Sequence, residues 1–508
     1  MHTFRSNQRH SKRPLLWLLF SLLMTPMILA SPAQYKGVKV TALPDASQAD
    51  FQVGFAALAH NKYMSANRLF SHITEQQPNN PLGWLALSFA PTSAEQFSQA
   101  VKKAKSLNKK ATDDEKLLID IQYSYITGDS EQRVKLVNEL QKKNNDSSFS
   151  WWMKGQVLSD AKRNEEARDA FAKAHKLDSS HVLPLIDLGN NYLFNEPRDF
   201  VKAEKTFKKV TEIQPANAFA HIGLGDALRA QQQLEQAKIH YTRASLVEPT
   251  FGTAFTKKGH VNTFLGHFDD AVADYTKAIK VAEPENAVFL GNYKAFTHLY
   301  QDKPMDSISE LKNWIKEIDA MPIKTHQKVQ GKIFTLTNLA MIQLHNGMTK
   351  MAEETLNQRE TLIERQITEV DDKLFNRQQR ANNQFWRGYL QARQGNFTVA
   401  TNTADKMYQL LTPINDSRKY EGYHELMGFI SLKSEKWNNA VAHYGKANQE
   451  KVYVKYHKAL ALEQSGDKKE AHKLFTDVKQ HNFNSVGYAL VRADAIEKSR
   501  FLTALAGL

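Results

Sequence analysis

The sequence predicts an all-α chain built as a solenoid of stacked helical hairpins, arranged in two repeat blocks. Two observations carry that expectation. From Phe149 to Pro284 four units follow one template, in which Gly155, Gly189, Gly225 and Gly259 recur at about the 34-residue interval of a paired-helix repeat. Within each unit a second set of small and aromatic residues follows at helical spacing, most plainly Ala237, Tyr241 and Ala244 before Pro249. A period of this size implies stacked supersecondary units rather than one globular core.

The other units differ only in detail. The first carries Trp151, Gly155, Ala167, Phe171 and Ala174. In the second come Leu185, Leu188, Gly189, Tyr192, Ala203, Phe207 and Pro215, with two extra residues around Glu196-Pro197. The third adds Leu224 and Gly225 to its closing set, and the fourth has Phe255, Gly259, Gly266, Ala271, Tyr275 and Ala278. Small residues such as Gly225 and Ala237 belong where the two helices of a hairpin cross. Pro249 cannot continue a helix and biases Glu248 away from the α region, so the second helix stops there. A lone hairpin cannot bury its apolar stripe and needs neighbours. This spacing resembles the tetratricopeptide repeat (TPR) family. The resemblance implies two antiparallel helices per unit, a right-handed superhelix and a concave face lined mostly by first helices.

Residues 1–30 have the layout of a secretory leader. Basic Arg5, Arg9, Lys12 and Arg13 precede an apolar run from Leu15 to Ala30, which ends in small residues. At ~16 residues the run is shorter than the ~20 that span a bilayer, so cleavage after Ala30 is expected, with a retained anchor as the alternative. The chain has no cysteine, which excludes disulfides and thiol-linked lipid. Removing the leader's four basic residues takes the formal charge from +13 to +9. That modest excess reads as a solvated basic surface, with weak contact to anionic surfaces as the alternative. An exported body, most naturally periplasmic, is the expectation.

Residues 31–46 read as a spacer. Over 47–147 come degenerate repeats: Gly54, Ala66, Phe70 and Pro78 fit the template, and Trp84 and Ala100 fit it loosely. Ser93 with Gln96, and Thr112 with Glu115, have the spacing of helix N-caps, and Gly128 punctuates a third hairpin. The regular block occupies 148–284. Across 285–380 the pattern decays; Trp314 keeps a stripe position without small-residue markers, and Ala340, Gly347, Ala352 and Leu356 recover it. The charged stretch 360–380 reads as extended helices between blocks or as a solvated flank. Gly388, Gly395, Ala400, Gly428, Ala440, Tyr444, Ala459, Gly466, Ala471 and Phe475 mark a second block over 381–484. Residues 485–508 are expected to cap its open end, with dimerisation as the alternative.

Motifs for chemistry fail on context. Gly223-Leu-Gly225 lies within a helix pattern rather than a strand-turn-helix phosphate cradle. His424-Glu425 begins a zinc-protease pattern, but Gly428 stands where its second histidine belongs. No cofactor or metal site is expected, no nucleic acid partner, and no enzymatic activity.

What remains is surface. The resemblance places partner contacts at first-helix positions flanking the marker glycine: Phe149, Trp152 and Gln156; Ile186 and Asn190; Phe219, Ile222, Asp226 and Arg229; Lys257 and His260. In this register Trp151 is core and Trp152 turns outward, with burial of Trp152 the competing account. A Lys/Asn/Arg clamp on a terminal carboxylate is not matched, because Trp152, Gln156 and Gly223 occupy its positions. The expected function is a non-catalytic scaffold that binds protein or peptide partners in the cell envelope. An accessory subunit of envelope polysaccharide export and a protein that binds anionic membrane surfaces stay open, as does an enzyme with a site near 360–380.

Overall fold

A computed structural model describes residues 38–59, 63–370, 372–414, 416 and 418–506. The leader, and the spacer up to residue 37, lie outside the described residues. The fold is an all-α, TPR-type hairpin solenoid, with no strand among the described residues. It divides after Gln231 into two compact units.

In the first unit, hairpins follow one another from Asp45–Ala59 with Tyr63–Gln76 to Leu183–Phe194 with Phe200–Ile213, and Ala218–Ala230 packs on the last of these. Helix starts are set by local chemistry. Ser93 accepts the Gln96 amide, and Thr112 and Glu115 form a reciprocal capping box at 3.2 and 2.9 Å. The second unit runs from Leu234–Val247 through six hairpins to Val452–Ser465 with Lys468–Lys479, and ends in Val486–Ala506.

The marker glycines show why the template exists. A Cβ on Gly155 would lie 2.5 Å from the Phe171 ring, and one on Gly189 would lie 2.6 Å from Phe207. Gly259 stands in the same relation to Tyr275, and Gly428 to Tyr444. In each of these hairpins the second helix drives an aromatic ring into the space a Cβ would occupy, whereas at Gly388 that space is taken by Leu426 of the next first helix, 2.7 Å away. Gly291 belongs to this set as well. It receives the indole of Trp314, whose Nε1 donates to the Val288 carbonyl at 2.9 Å. So the hairpin read as lacking a small-residue marker does have one.

The charged stretch 360–380 falls in two long helices, Thr349–Val370 and Lys373–Arg393. Arg387 grips Glu360 through two bonds of 2.7 and 2.8 Å, and buried Arg359 donates to Thr337 and Asn383. These ties add to the apolar contacts that Phe385, Trp386, Tyr389 and Leu390 make further along the second of these helices.

The terminal helix Val486–Ala506 packs on the last hairpin, and its contacts reach further. Val486 and Ala489 join Ala295, Phe296, Leu336 and Leu339 in one core cluster. Just before it, fully buried Asn484 accepts from the Tyr300 hydroxyl and donates to that of Tyr275, both at 3.0 Å.

Many hairpin turns among the described residues place one residue in the left-handed region: Gly128, Gly266, Gly347, Gly395 and Gly466, but also Lys162, Asp302 and Glu435. A side chain there is strained and glycine is not. Lys162→Gly should therefore stabilise the protein by up to about 1 kcal/mol, while Gly155→Ala should destabilise it by about 1–3 kcal/mol through overpacking against Phe171. Denaturant unfolding reads both; equal midpoints would contradict the assigned geometry.

Candidate partner-binding site

In the first unit the expected contact residues separate by burial. Phe149, Ile186, Ile222, Asp226 and Arg229 are buried, while Gln156, Asn190 and Phe219 are partly exposed. Trp152 is 0% exposed, so the outward orientation is corrected. Its indole lies 5.7 Å from the Phe149 ring and 5.9 Å from that of His181, and its Nε1 donates to Asp187 Oδ2 at 2.6 Å. Gln156 donates to the same oxygen, so the carboxylate of the next hairpin's first helix holds both residues. Trp151, expected in the core, is partly exposed and bonds the Asn145 carbonyl at 2.7 Å. The two indoles have exchanged roles because Asp187 supplies a partner that a template position cannot reveal.

Arg229 pairs with Asp226 on its own helix at 3.3 Å, both nearly inaccessible. In the second unit, Lys257 is partly exposed, whereas His260 is buried against Tyr275, with its Nδ1 2.9 Å from the phenol. Asn484 reaches the same group, so the chain's own tail covers His260.

No sequence pattern marks Arg168. It is buried, bonds Asn191 Oδ1 at 2.7 Å, and holds the carbonyls of Asn195 and Pro197 at 3.0 and 2.8 Å. It thereby fixes the two-residue insertion of the second regular unit.

A second arrangement lies in the second unit. First helices Thr325–His345, Lys373–Arg393, Glu421–Lys433 and Val452–Ser465 surround a cavity of about 210 Å³. Its polar lining comes from His345, Tyr389, Arg393, Lys433, Tyr453, Tyr456 and His457. The Tyr453 hydroxyl meets His345 Nδ1 at 2.9 Å, and the Tyr389 hydroxyl donates to it at 3.4 Å. His457 donates its Nδ1 proton to the Tyr453 carbonyl at 2.9 Å. Burial lowers the pKa of His457 to about 3 and that of His345 to about 4, so both are neutral near pH 7. No sequence motif announced this site. The available signal was a basic residue five positions after the marker glycine in two consecutive hairpins, Arg393 after Gly388 and Lys433 after Gly428.

Comparison with known proteins agrees with the repeat geometry. Residues 150–181 and 253–284 match the tetratricopeptide repeat family model, so these two segments are hairpins of the TPR class. The chain is 30% identical over 129 residues to tetratricopeptide repeat protein 6 of Homo sapiens; the match covers 25% of this chain and 24% of that protein. Among solved structures it is similar to PilW, described as a widely conserved type IV pilus biogenesis factor, at 16% identity and TM-score 0.33, covering 38% of this chain and 88% of PilW. It is also similar to YrrB, described as a TPR protein with an unusual peptide-binding site, at 20% identity and TM-score 0.29, covering 36% of this chain and 92% of YrrB.

Two outcomes follow from these geometries. Trp152→Ala should cost about 3–5 kcal/mol of stability in chemical denaturation, as for a buried aromatic; a loss below about 1 kcal/mol would return Trp152 to the surface. The second concerns pH. Unfolded histidine takes up its proton near pH 6.5, and folded His345 and His457 do so only near 4 and 3. Their contribution is thus complete above about pH 6.5 and is lost as pH falls through the folded values. The thermal midpoint should drop between pH 6.5 and 4, and His457→Gln should flatten that drop. An unchanged slope in the variant would contradict the assignment.

Proposed function

We propose that this protein is an exported, non-catalytic scaffold of the cell envelope, most naturally periplasmic, that holds protein or peptide segments on its first-helix faces. The observation that carries this reading is the cavity in the second unit, where side chains from four consecutive first helices converge on one space. Converging polar groups in an aromatic-walled hollow are what a binding site requires. In the first unit, partly exposed Gln156, Asn190 and Phe219 come from three successive first helices. The repeats supply the framework. Export rests on the layout of residues 1–30.

The test has two readouts on the chain expressed with its leader. Intact mass of the protein from the exported fraction should place the new N-terminus at or near Ser31. A photo-crosslinking residue at Asn190 or Phe219 should give discrete adducts with envelope proteins, while one at exposed Lys173 should not. Retention of residues 1–30 on membrane-bound protein would overturn cleavage after Ala30, and recovery of the body from the cytoplasmic fraction would overturn the export reading. Adducts at Lys173 alone would overturn the assignment of the binding face.

A further inference from the structure

We propose that the second-unit cavity is a carboxylate pocket, which takes a monoanionic acid carrying a ring-sized apolar body. This rests on the reading that first-helix faces bind ligands, and adds the ligand's chemical class. Four observations support it.

The first is charge. Arg393 and Lys433 both line the cavity, and no aspartate or glutamate does. Two nearby carboxylates lie outside the lining and are already partnered: Glu425 pairs with Lys451 at 2.7 Å, and Asp494 accepts from the hydroxyl of the wall residue Tyr456 at 2.7 Å. Arg393 donates from Nε to the Leu344 carbonyl at 2.6 Å and from Nη2 to the His345 carbonyl. Both acceptors are uncharged, so its positive charge is held in place without being neutralised. Lys433, exposed as a side chain, has its pKa lowered by partial burial of the ammonium and then by Arg393. Two like charges therefore face one space, and an anion between them would relieve both.

The second is what the histidines withhold. Neutral His345 and His457 add no positive charge near pH 7, and His457 has already committed its Nδ1 proton to a backbone carbonyl. The donors aimed at an anion are few, which suits the two oxygens of a carboxylate better than a phosphate dianion.

The third is the wall. Leu344, Phe429, Leu432 and Leu460 line the cavity beside the tyrosine rings, so the rest of the ligand meets apolar surface. The fourth is size. A 150 Å³ protein cavity is known to hold benzene, so about 210 Å³ accommodates a ring with a short acid arm.

Two sources offer this chemistry, a free small acid and the terminal residue of a peptide. Calorimetric titration of the full chain with 3-phenylpropionate should show saturable binding with a Kd on the order of 1 mM. Its amide, 3-phenylpropanamide, should bind at least tenfold more weakly. Lys433→Gln should weaken the acid about fivefold or more, and Lys433→Glu should abolish its binding. Because Lys433 is exposed and its charge is repelled by Arg393, the melting temperature should not fall in either variant. Acetyl-Ala-Ala-Phe with a free terminus separates the sources: tighter binding than 3-phenylpropionate indicates a peptide end, equal or weaker binding a small acid. Equal affinity for acid and amide, or wild-type affinity in Lys433→Gln, would overturn the pocket's assignment. Crosslinks at Asn190 or Phe219 in the first unit do not pass through this cavity. If they form while the acid fails to bind, the scaffold reading stands and the carboxylate pocket falls.

Discussion

The structure depends on one repeated contact, an aromatic ring of the second helix pressed into the place where the first helix has no Cβ. Phe171 against Gly155, Phe207 against Gly189, Tyr275 against Gly259, Trp314 against Gly291 and Tyr444 against Gly428 are the same joint with different rings. The joint sets how closely two helices of a hairpin approach. It leaves the remaining face of each first helix to meet the first helix of the next unit. Where the joint occurs, the contacts between neighbouring hairpins inherit their geometry from that spacing.

Apolar stacking alone would let neighbouring hairpins slide, and buried polar groups fix their register. Asp187 receives the Trp152 indole across one junction, and Arg168 bonds Asn191 across the same one. In the second unit Asn292 bonds Thr335 at 3.1 Å and accepts from Asn338 at 3.0 Å. A buried hydrogen bond to a charged group contributes about 1.5–3 kcal/mol, and stranding one partner costs a similar amount. A slipped register would strand several at once. The pairs discriminate between arrangements more than they add to stability.

That division explains what was legible beforehand. The period, the capping residues Ser93 and Thr112, the stop at Pro249 and the turn at Gly128 all act within a few residues of themselves, so the sequence states them directly. The exposure of Trp151 against Trp152 depends on Asp187, some 35 residues on, which no template position encodes. Gly291 was hidden because its partner is an indole rather than the phenyl or phenol ring of the other hairpins. The second-unit cavity was the least legible. Its Tyr389 and Tyr453 hydroxyls meet across 64 residues, in units whose markers are less regular than those of 148–284.

The tail changes what the second unit can offer. The backbone around Asn484 and Tyr488 lies on the first helices Gly252–Leu265 and Pro284–Leu299, where Tyr488 sits 5.8 Å from Phe264 and 6.3 Å from Tyr300. Arg492 extends the contact to the Phe264 carbonyl at 3.4 Å. Burial of Asn484 among two tyrosine hydroxyls and His260 makes this covering part of the core, since withdrawing it would expose four polar groups that now satisfy one another. Further along the tail, Asp494 reaches the cavity wall, but its carboxylate is taken by Tyr456 and lies outside the space that Arg393 and Lys433 face. The chain's own terminus thus seals part of the first-helix surface and leaves the basic pocket without an internal counter-ion. Partly exposed Arg393 and exposed Lys433 repel each other across a partly apolar hollow, so an anion held between them would relieve both.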